Sequence, residues 1–324
     1  MNPAWSLPLA ALALVIEALL GYPAPVYRAI GHPVTWIGAW LGWLEARLNN
    51  LDLPPERRRA RGMAALALLL APVLCVSAAL TRLAPDNLAG FLLLAVLTSS
   101  LVAQRSLDAH VRAVANALDK DGLAAGRAAV GRIVGRNIEA LDEAGVARAG
   151  LESLAENFSD GIVAPLLWIA IGGLSGGALY KAINTADSMI GHKNPRYCDF
   201  GRAAARLDDW VNWPASRLSA LWLIGAAAIL PGASPRAAIE AVRRDAARHR
   251  SPNAGWPEAA LAGALCLKLA GPRIYGEIRV DDAFMGNGRA ELTARDIRRG
   301  LALYRGACLL QALALWALAL TLPG

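Results

Sequence analysis

The sequence predicts an all-α, polytopic integral membrane protein with five or six apolar segments. Three observations carry that prediction. Apolar residues make up 56% of the chain and charged residues only 18%, against roughly 25% charged in ordinary soluble domains. Mean hydropathy is +0.37. Uncharged runs recur at lengths approaching the ~20 residues that cross ~30 Å of hydrocarbon at ~1.5 Å per helical residue. No β-rich stretch or internal repeat interrupts the pattern.

The first apolar segment, about residues 4–20, holds one charge, Glu17, and ends at the breaker Gly21-Tyr22-Pro23-Ala24-Pro25. Its start lacks the basic region and small-residue cleavage site of a secretory signal, so a retained helix is expected. Residues 34–48 read as an amphipathic helix with Trp36, Trp40 and Trp43 on neighbouring faces, a density that suits the membrane–water interface. Arg57-Arg58-Arg59 and Arg61 precede the second segment, 63–81, and place its start on the cytoplasmic side. The third segment is 88–104. In the polar region 105–160, Leu107, Val111, Val114 and Leu118 recur at helical spacing until Asp119-Lys120-Asp121-Gly122 breaks the pattern.

The fourth segment, 162–180, contains Gly172-Gly173-Leu174-Ser175-Gly176-Gly177. That run allows the helix to turn back as a re-entrant segment where protein covers the backbone. Re-entrance keeps the polar regions 105–160 and 181–217 on one side of the bilayer; two complete crossings at 162–180 and 218–235 would separate them. The fifth segment, 218–235, is shortened by Pro231 and Gly232. In the polar region 236–300, Pro257 fits a first-turn helix position. Gly286-Asn287-Gly288 is a turn rather than a dinucleotide fingerprint, because no strand or matching acidic residue frames it. The last segment is 306–324. The expectation is one membrane-embedded domain over 1–324, multi-pass in the cell inner membrane, with a cytoplasmic active site.

The net charge of +7 comes with Arg clusters that flank apolar segments. No recognition module or stacking pattern appears, so nucleic acid is not an expected partner. Cys75, Cys198, Cys266 and Cys308 are far apart without a C-x-x-C, which implies neither a disulfide framework nor a zinc site.

Polar chemistry concentrates between Glu152 and Arg217. Ionisable groups at a bilayer edge are costly unless paired or used. Glu156 and Asp160, four apart, share a face if helical. They are the candidate Mg²⁺ ligands, since Mg²⁺ takes one or two carboxylates and completes its octahedron with water and phosphate; two ion-pairing carboxylates at a helix junction are the plainer reading. Lys181, Asn184, Asp187 and Ser188 repeat at three and four residues. A lysine there can meet phosphate, an asparagine can orient a ligand, and an aspartate can bind metal or accept a proton; a surface ion network is the bland alternative. Asp208 and Asp209 repel each other unless a cation intervenes. Lys181, Asn184, Asp187, Asp208 and Asp209 are therefore the catalytic candidates. Arg132 and Arg136, one turn apart if helical, join Lys193, Arg196, Asn157, Asn212 and Asn253 as candidate substrate- and phosphate-binding residues. All five carboxylates, Glu156, Asp160, Asp187, Asp208 and Asp209, are expected to converge in one cavity.

Five ordered motifs carry a family resemblance: His32-Pro33-Val34-Thr35-Trp36-Ile37-Gly38, Glu156-Asn157-Phe158-Ser159-Asp160-Gly161, Asn184-Thr185-Ala186-Asp187-Ser188-Met189-Ile190-Gly191, Ala205-Arg206-Leu207-Asp208-Asp209 and Ser251-Pro252-Asn253-Ala254-Gly255. Over almost its whole length the chain resembles the CobD/CbiB family of cobalamin biosynthesis. It departs where the family usually has an Asp in the first helix and Gly-Asp-Pro after it; here stand Glu17 and Gly21-Tyr22-Pro23. The resemblance implies an adenosylcobinamide-phosphate synthase, an amide ligase acting on adenosylcobyric acid and aminopropanol phosphate or aminopropanol. ATP and Mg²⁺ are the inferred co-substrate and metal. Other cobalamin-assembly enzymes and a second copy of the chain are the candidate protein partners, and the lipid bilayer is its surroundings. Two rival readings are a transporter and a non-catalytic anchor for such enzymes. A transporter favours carboxylates inside apolar helices, where only Glu17 clearly lies. An anchor has no need of the Glu156-to-Asn212 constellation.

Overall fold

The computed structural model describes residues 5–135, 137–275, 278–280 and 282–321. Helices dominate in the order α1 (Ser6–Leu20), α2 (Ala24–Ile30), α3 (Pro33–Leu48), α4 (Pro55–Leu83), α5 (Leu88–Ser99), α6 (Gln104–Val130), α7 (Glu143–Phe158), α8 (Ala164–Ile190), α9 (Arg202–Ile229), α10 (Pro235–Asp245), α11 (Gly255–Leu265) and α12 (Ala294–Thr321). Among the described residues four helical stretches are long and apolar enough to cross a membrane: Pro55–Leu83, Leu88–Val130, Glu143–Ile190 and Ala294–Thr321. A fifth arises if Ser6–Leu20 and Ala24–Leu48, bent by 103°, count as one broken span. The protein is a multi-pass, all-α membrane protein.

The segment at 218–235 is the exception to the expected set. Its helix stops at Ile229 and carries Asp208, Asp209 and Arg217 further back. The uncharged remainder is too short to cross the hydrocarbon by itself. A second difference is local: antiparallel pairs join β1 (Leu269–Ala270) to β4 (Phe284–Met285) and β2 (Arg273–Tyr275) to β3 (Ile278–Val280). Strands of two and three residues are too short to show an alternating pattern in sequence.

The packing divides into two units. The first comprises the described residues up to Ala103, Ala164–Asn212 and the chain end from Leu315; the second comprises Gln104–Val163 and Trp213–Ala314. In the first unit, α3 begins with a reciprocal cap: the His32 side chain accepts from the Val34 amide, and the Thr35 hydroxyl accepts from the His32 amide. Such caps satisfy amides that a helix leaves unpaired. Trp36, Trp40 and Trp43 all remain exposed, and Trp40 stacks on Trp43 at 4.8 Å. A core of Leu41, Leu44, Leu66, Leu69, Ile190 and Phe200 locks α3, α4 and the end of α8 together. Gly62 is required there, because any Cβ would collide with the Phe200 carbonyl.

The glycine run in α8 breaks the helix at Gly173, with φ 59° and ψ −149°. A side chain resists that conformation. The following residues, Leu174 to Ile190, form the straight part of α8 that carries the polar stripe.

In the second unit, α6 buries Leu107, Val111, Val114 and Leu118 as their spacing predicts, and Gly122 (φ 81°) interrupts it. Asp142 caps α7 by accepting from the Gly145 amide at 2.7 Å. At Ser159–Val163, α7 widens into a π turn. Wide turns of this type recur at functional positions, and this one holds the Ser159-Asp160-Gly161 part of a motif.

Candidate functional site

In the first unit the polar stripe of α8 faces the start of α9. Asp208 is buried at 8% exposure and Asn212 at 1%. The Asn212 amide donates to Asp208 Oδ2 at 2.9 Å, and the Asn184 amide donates to Asp208 Oδ1 at 3.4 Å. Tyr180, itself buried, donates to Asn212 Oδ1 at 2.8 Å and so fixes the orientation of that amide. The carboxyl of Asp208 is therefore held from two sides by neutral donors. Burial, reinforced by the nearby Asp187 and Asp209 carboxylates, pushes the Asp208 carboxyl up to about 7; the two amides act against that rise. Burial also raises the Asp209 carboxyl, and Lys193 opposes it. Asp187, Asp208 and Asp209 are thus one electrostatically coupled group, with Lys193 beside it and His192 within reach of Asp187.

Lys181 lies within electrostatic reach of His32, which brings the His32-Pro33-Val34-Thr35 motif to the stripe. The Ser188 hydroxyl donates to the Asn184 carbonyl at 2.8 Å. Among the described residues no group of three His, Cys, Asp or Glu side chains forms a metal cage. Hard carboxylate oxygens beside lysines are nonetheless the donor type Mg²⁺ uses, one or two at a time with water.

Arg196 is placed differently from Lys193. Its guanidinium makes two 3.0 Å hydrogen bonds to the Glu45 carboxylate, so its charge is already balanced. The turn that carries it is tied down as well. Buried Arg58 donates to the Pro195 and Arg196 carbonyls, and Arg59 pairs with Asp199 at 2.8 Å. Arg196 reads in this geometry as a pin of the loop.

The second unit holds the remaining candidates. Glu156 lies on exposed α7 surface, and Asp160 stands in the π turn, so their spacing of four is not carried by one regular α-helix. The Asn157 amide donates to the Ser153 carbonyl and hydroxyl at 2.9 and 3.2 Å. Arg132 lies in a turn after α6 ends at Val130. The premise that Arg132 and Arg136 share a helical face therefore fails for Arg132, and Arg136 lies outside the described residues. Asn253 is buried, and its Oδ1 accepts from Ser216 Oγ at 3.2 Å and Arg217 Nη1 at 3.0 Å. The expected convergence of five carboxylates divides by unit: Asp187, Asp208 and Asp209 in the first, Glu156 and Asp160 in the second.

A cavity of about 550 Å³ in the first unit is lined by Tyr22, Trp36, Trp40 and other apolar residues. Its hydroxyls come from Tyr22, Ser77, Ser99 and Ser100, each of which donates to a nearby backbone carbonyl. Such a lining carries no charged group, whereas the Asp208 cluster gathers three carboxylates and two amides.

A family model described as CobD/Cbib protein matches residues 10–304. The chain belongs to the CobD/CbiB family. Among its relatives, the protein named Cobalamin biosynthesis protein CobD of Sinorhizobium sp is 52% identical over 305 residues, covering 93% of this chain and 94% of that one. Its namesake in Rhizobium meliloti (strain 1021) is 46% identical over 315 residues, 96% of each chain. That of Brucella suis biovar 1 is 48% identical over 296 residues, 90% of each. No solved structure matches. Within this CobD/CbiB chain, sequence reasoning missed Tyr180 and Arg217. Tyr180 stands four residues before Asn184, a spacing that puts both on one face. Arg217 stands four after Trp213 in the same way, but its second aromatic neighbour, Trp256, comes from another helix.

Proposed function

We propose that this chain is an adenosylcobinamide-phosphate synthase. It joins the free propionate carboxylate of adenosylcobyric acid to the amine of aminopropanol phosphate, or of aminopropanol, as an amide. Its place in cobalamin biosynthesis follows from its family, and the reaction class is argued from chemistry. ATP with Mg²⁺ supplies the activation that a carboxylate needs before it can acylate an amine at neutral pH.

The observation that carries the reading is Asp208: a buried carboxyl, oriented by two amides, with a value of about 7. An amine reaches the site as an ammonium and must lose a proton before it attacks. A base whose value lies near the working pH accepts that proton most effectively. Asp208 holds the proton, and Asp187 and Asp209 keep the ammonium close by charge. Asn184 and Asn212 fix the base, while Lys181 and Lys193 balance phosphate charge. Within the second unit, taken by itself, Glu156 and Asp160 are the proposed Mg²⁺ ligands and Asn157, Arg132 and Asn253 the proposed contacts to phosphate or amide groups. Positioning and charge stabilisation of this kind supply the protein's share of the rate.

The test is a pH–rate profile on detergent-purified protein. Asp208 is protonated below about 7 and cannot act as a base there, so turnover should rise through that pH and then level. Asp208→Asn should lose about 10²-fold or more in rate, and its residual activity should lack this rise. A flat wild-type profile across pH 7, with Asp208→Asn near the wild-type rate, would remove Asp208 from the chemistry.

A further inference from the structure

Among the described residues of the second unit, the Arg217 guanidinium has no carboxylate within ion-pair distance. Arg217 Cζ lies 4.5 Å from the centroid of the Trp213 ring and 4.4 Å from that of Trp256. Trp213 precedes it by one turn of α9, and Trp256 stands in the first turn of α11. Two indoles therefore hold the guanidinium in place by cation–π attraction. Its Nη1 donates to the Trp213 carbonyl at 3.0 Å, to Ser216 Oγ at 2.9 Å and to Asn253 Oδ1 at 3.0 Å. All three acceptors are neutral, and Ser216 and Asn253 are buried.

That arrangement uses one corner of the fork. Among the described residues Nε and Nη2 of Arg217 make no hydrogen bond, and no carboxylate lies within ion-pair distance of it. Other arginines of the chain contrast with it: Arg196 meets Glu45, Arg244 meets Asp245, Arg289 meets Asp296 and Arg305 meets Asp108. Partial burial of a cation is unfavourable without a counter-charge, and burial does lower the Arg217 value below that of an ordinary arginine. The Nε–Nη2 edge is the one that grips two oxygens of an anion in bidentate fashion. A phosphate group brings at least one full negative charge and two or more unesterified oxygens, so it can balance the cation and take that bidentate grip at once.

We propose that Arg217, clamped by Trp213 and Trp256 and anchored by Ser216 and Asn253, is the binding residue of a phosphate-group subsite. The phosphate belongs either to a small soluble phosphomonoester or to a phospholipid headgroup; both offer the guanidinium edge two unesterified oxygens and a negative charge. Binding is measured without turnover, so this proposal stands or falls separately from the amide-forming reaction.

The experiment is a titration of the full chain, in a phosphate-free maltoside detergent, with inorganic phosphate, read by tryptophan emission and melting temperature. The wild type should show a saturable change in emission and a rise in melting temperature. Arg217→Gln should abolish both, and Arg217→Lys, which keeps the charge but loses the planar fork, should weaken binding about tenfold or more. Repetition in phosphatidylglycerol nanodiscs assigns the source. A subsite that headgroups already fill no longer answers to inorganic phosphate, whereas one for a soluble phosphomonoester still does. If neither variant folds, phosphate should slow phenylglyoxal modification of wild-type Arg217 while leaving the exposed Arg206 unaffected, as read by peptide mass. Absence of a saturable response in detergent, equal responses in wild type and variants, or equal modification of Arg217 with and without phosphate would overturn the proposal.

Discussion

Asp187 and Lys181 lie on the same helix but face different neighbours: Asp187 the Asp208–Asp209 pair, Lys181 the His32 motif. Asp187→Asn and Lys181→Ala should each lower turnover by about 10²-fold or more, the loss expected when a charge that holds the ammonium or the phosphate is removed from a transition state. Both proteins should still insert and melt near the wild-type temperature. Near-wild-type turnover per folded molecule in both would mean that these groups only pair with neighbours. At this scale much of the site could be read from sequence. Asn184, Asp187, Asp208, Asp209 and Asn212 were conspicuous because charge and amide groups cluster there in an apolar chain. Arg196 was conspicuous for the same reason, yet its charge is balanced by Glu45, 151 residues away in sequence. No local pattern reveals a partner at that separation. The same holds for Trp256 on Arg217.

The glycine run at 172–177 was legible as a break in an apolar helix, but the sequence does not say which glycine turns. The structure assigns the turn to Gly173, with its left-handed φ of 59°. Gly173→Ala should therefore cost about 1–3 kcal/mol, the usual range for a non-glycine residue held in such a conformation. A Cβ at Gly172 meets nothing within 4 Å, so Gly172→Ala should be neutral or stabilising by up to about 1 kcal/mol. Thermal unfolding of the two variants in one detergent checks the pair, and the reverse order would move the break elsewhere. Other elements escaped the sequence for definable reasons. The π turn at Ser159–Val163 has no composition of its own. The end of α6 at Val130 removed Arg132 from the helix on which it was expected, and the two-residue strands were too short to show a period.

Across the whole molecule, the apolar runs determined the class: the stretches at 55–83, 88–130, 143–190 and 294–321, long and apolar enough to cross, coincide with four of the six segments read from sequence, and the bent pair at 6–48 with another. What composition could not supply was the division into two units, since it depends on long-range packing of segments such as 164–212 and 213–314. The meeting of all five carboxylates belongs to this scale too, since it is expected from their clustering by motif and from the cost of leaving such charges unpaired in apolar surroundings. Three of them, Asp187, Asp208 and Asp209, form the coupled group from which the proposed chemistry is argued. The proposed reaction of this chain is the formation of an amide bond. Its most direct test incubates the purified protein with adenosylcobyric acid, aminopropanol phosphate, ATP and Mg²⁺, and identifies the products by mass. The corrinoid product should have the summed mass of the two substrates less one water, and it should form only when ATP is present and be accompanied by ATP hydrolysis. Unchanged substrates with fully folded protein, under conditions that include ATP and Mg²⁺, would contradict it.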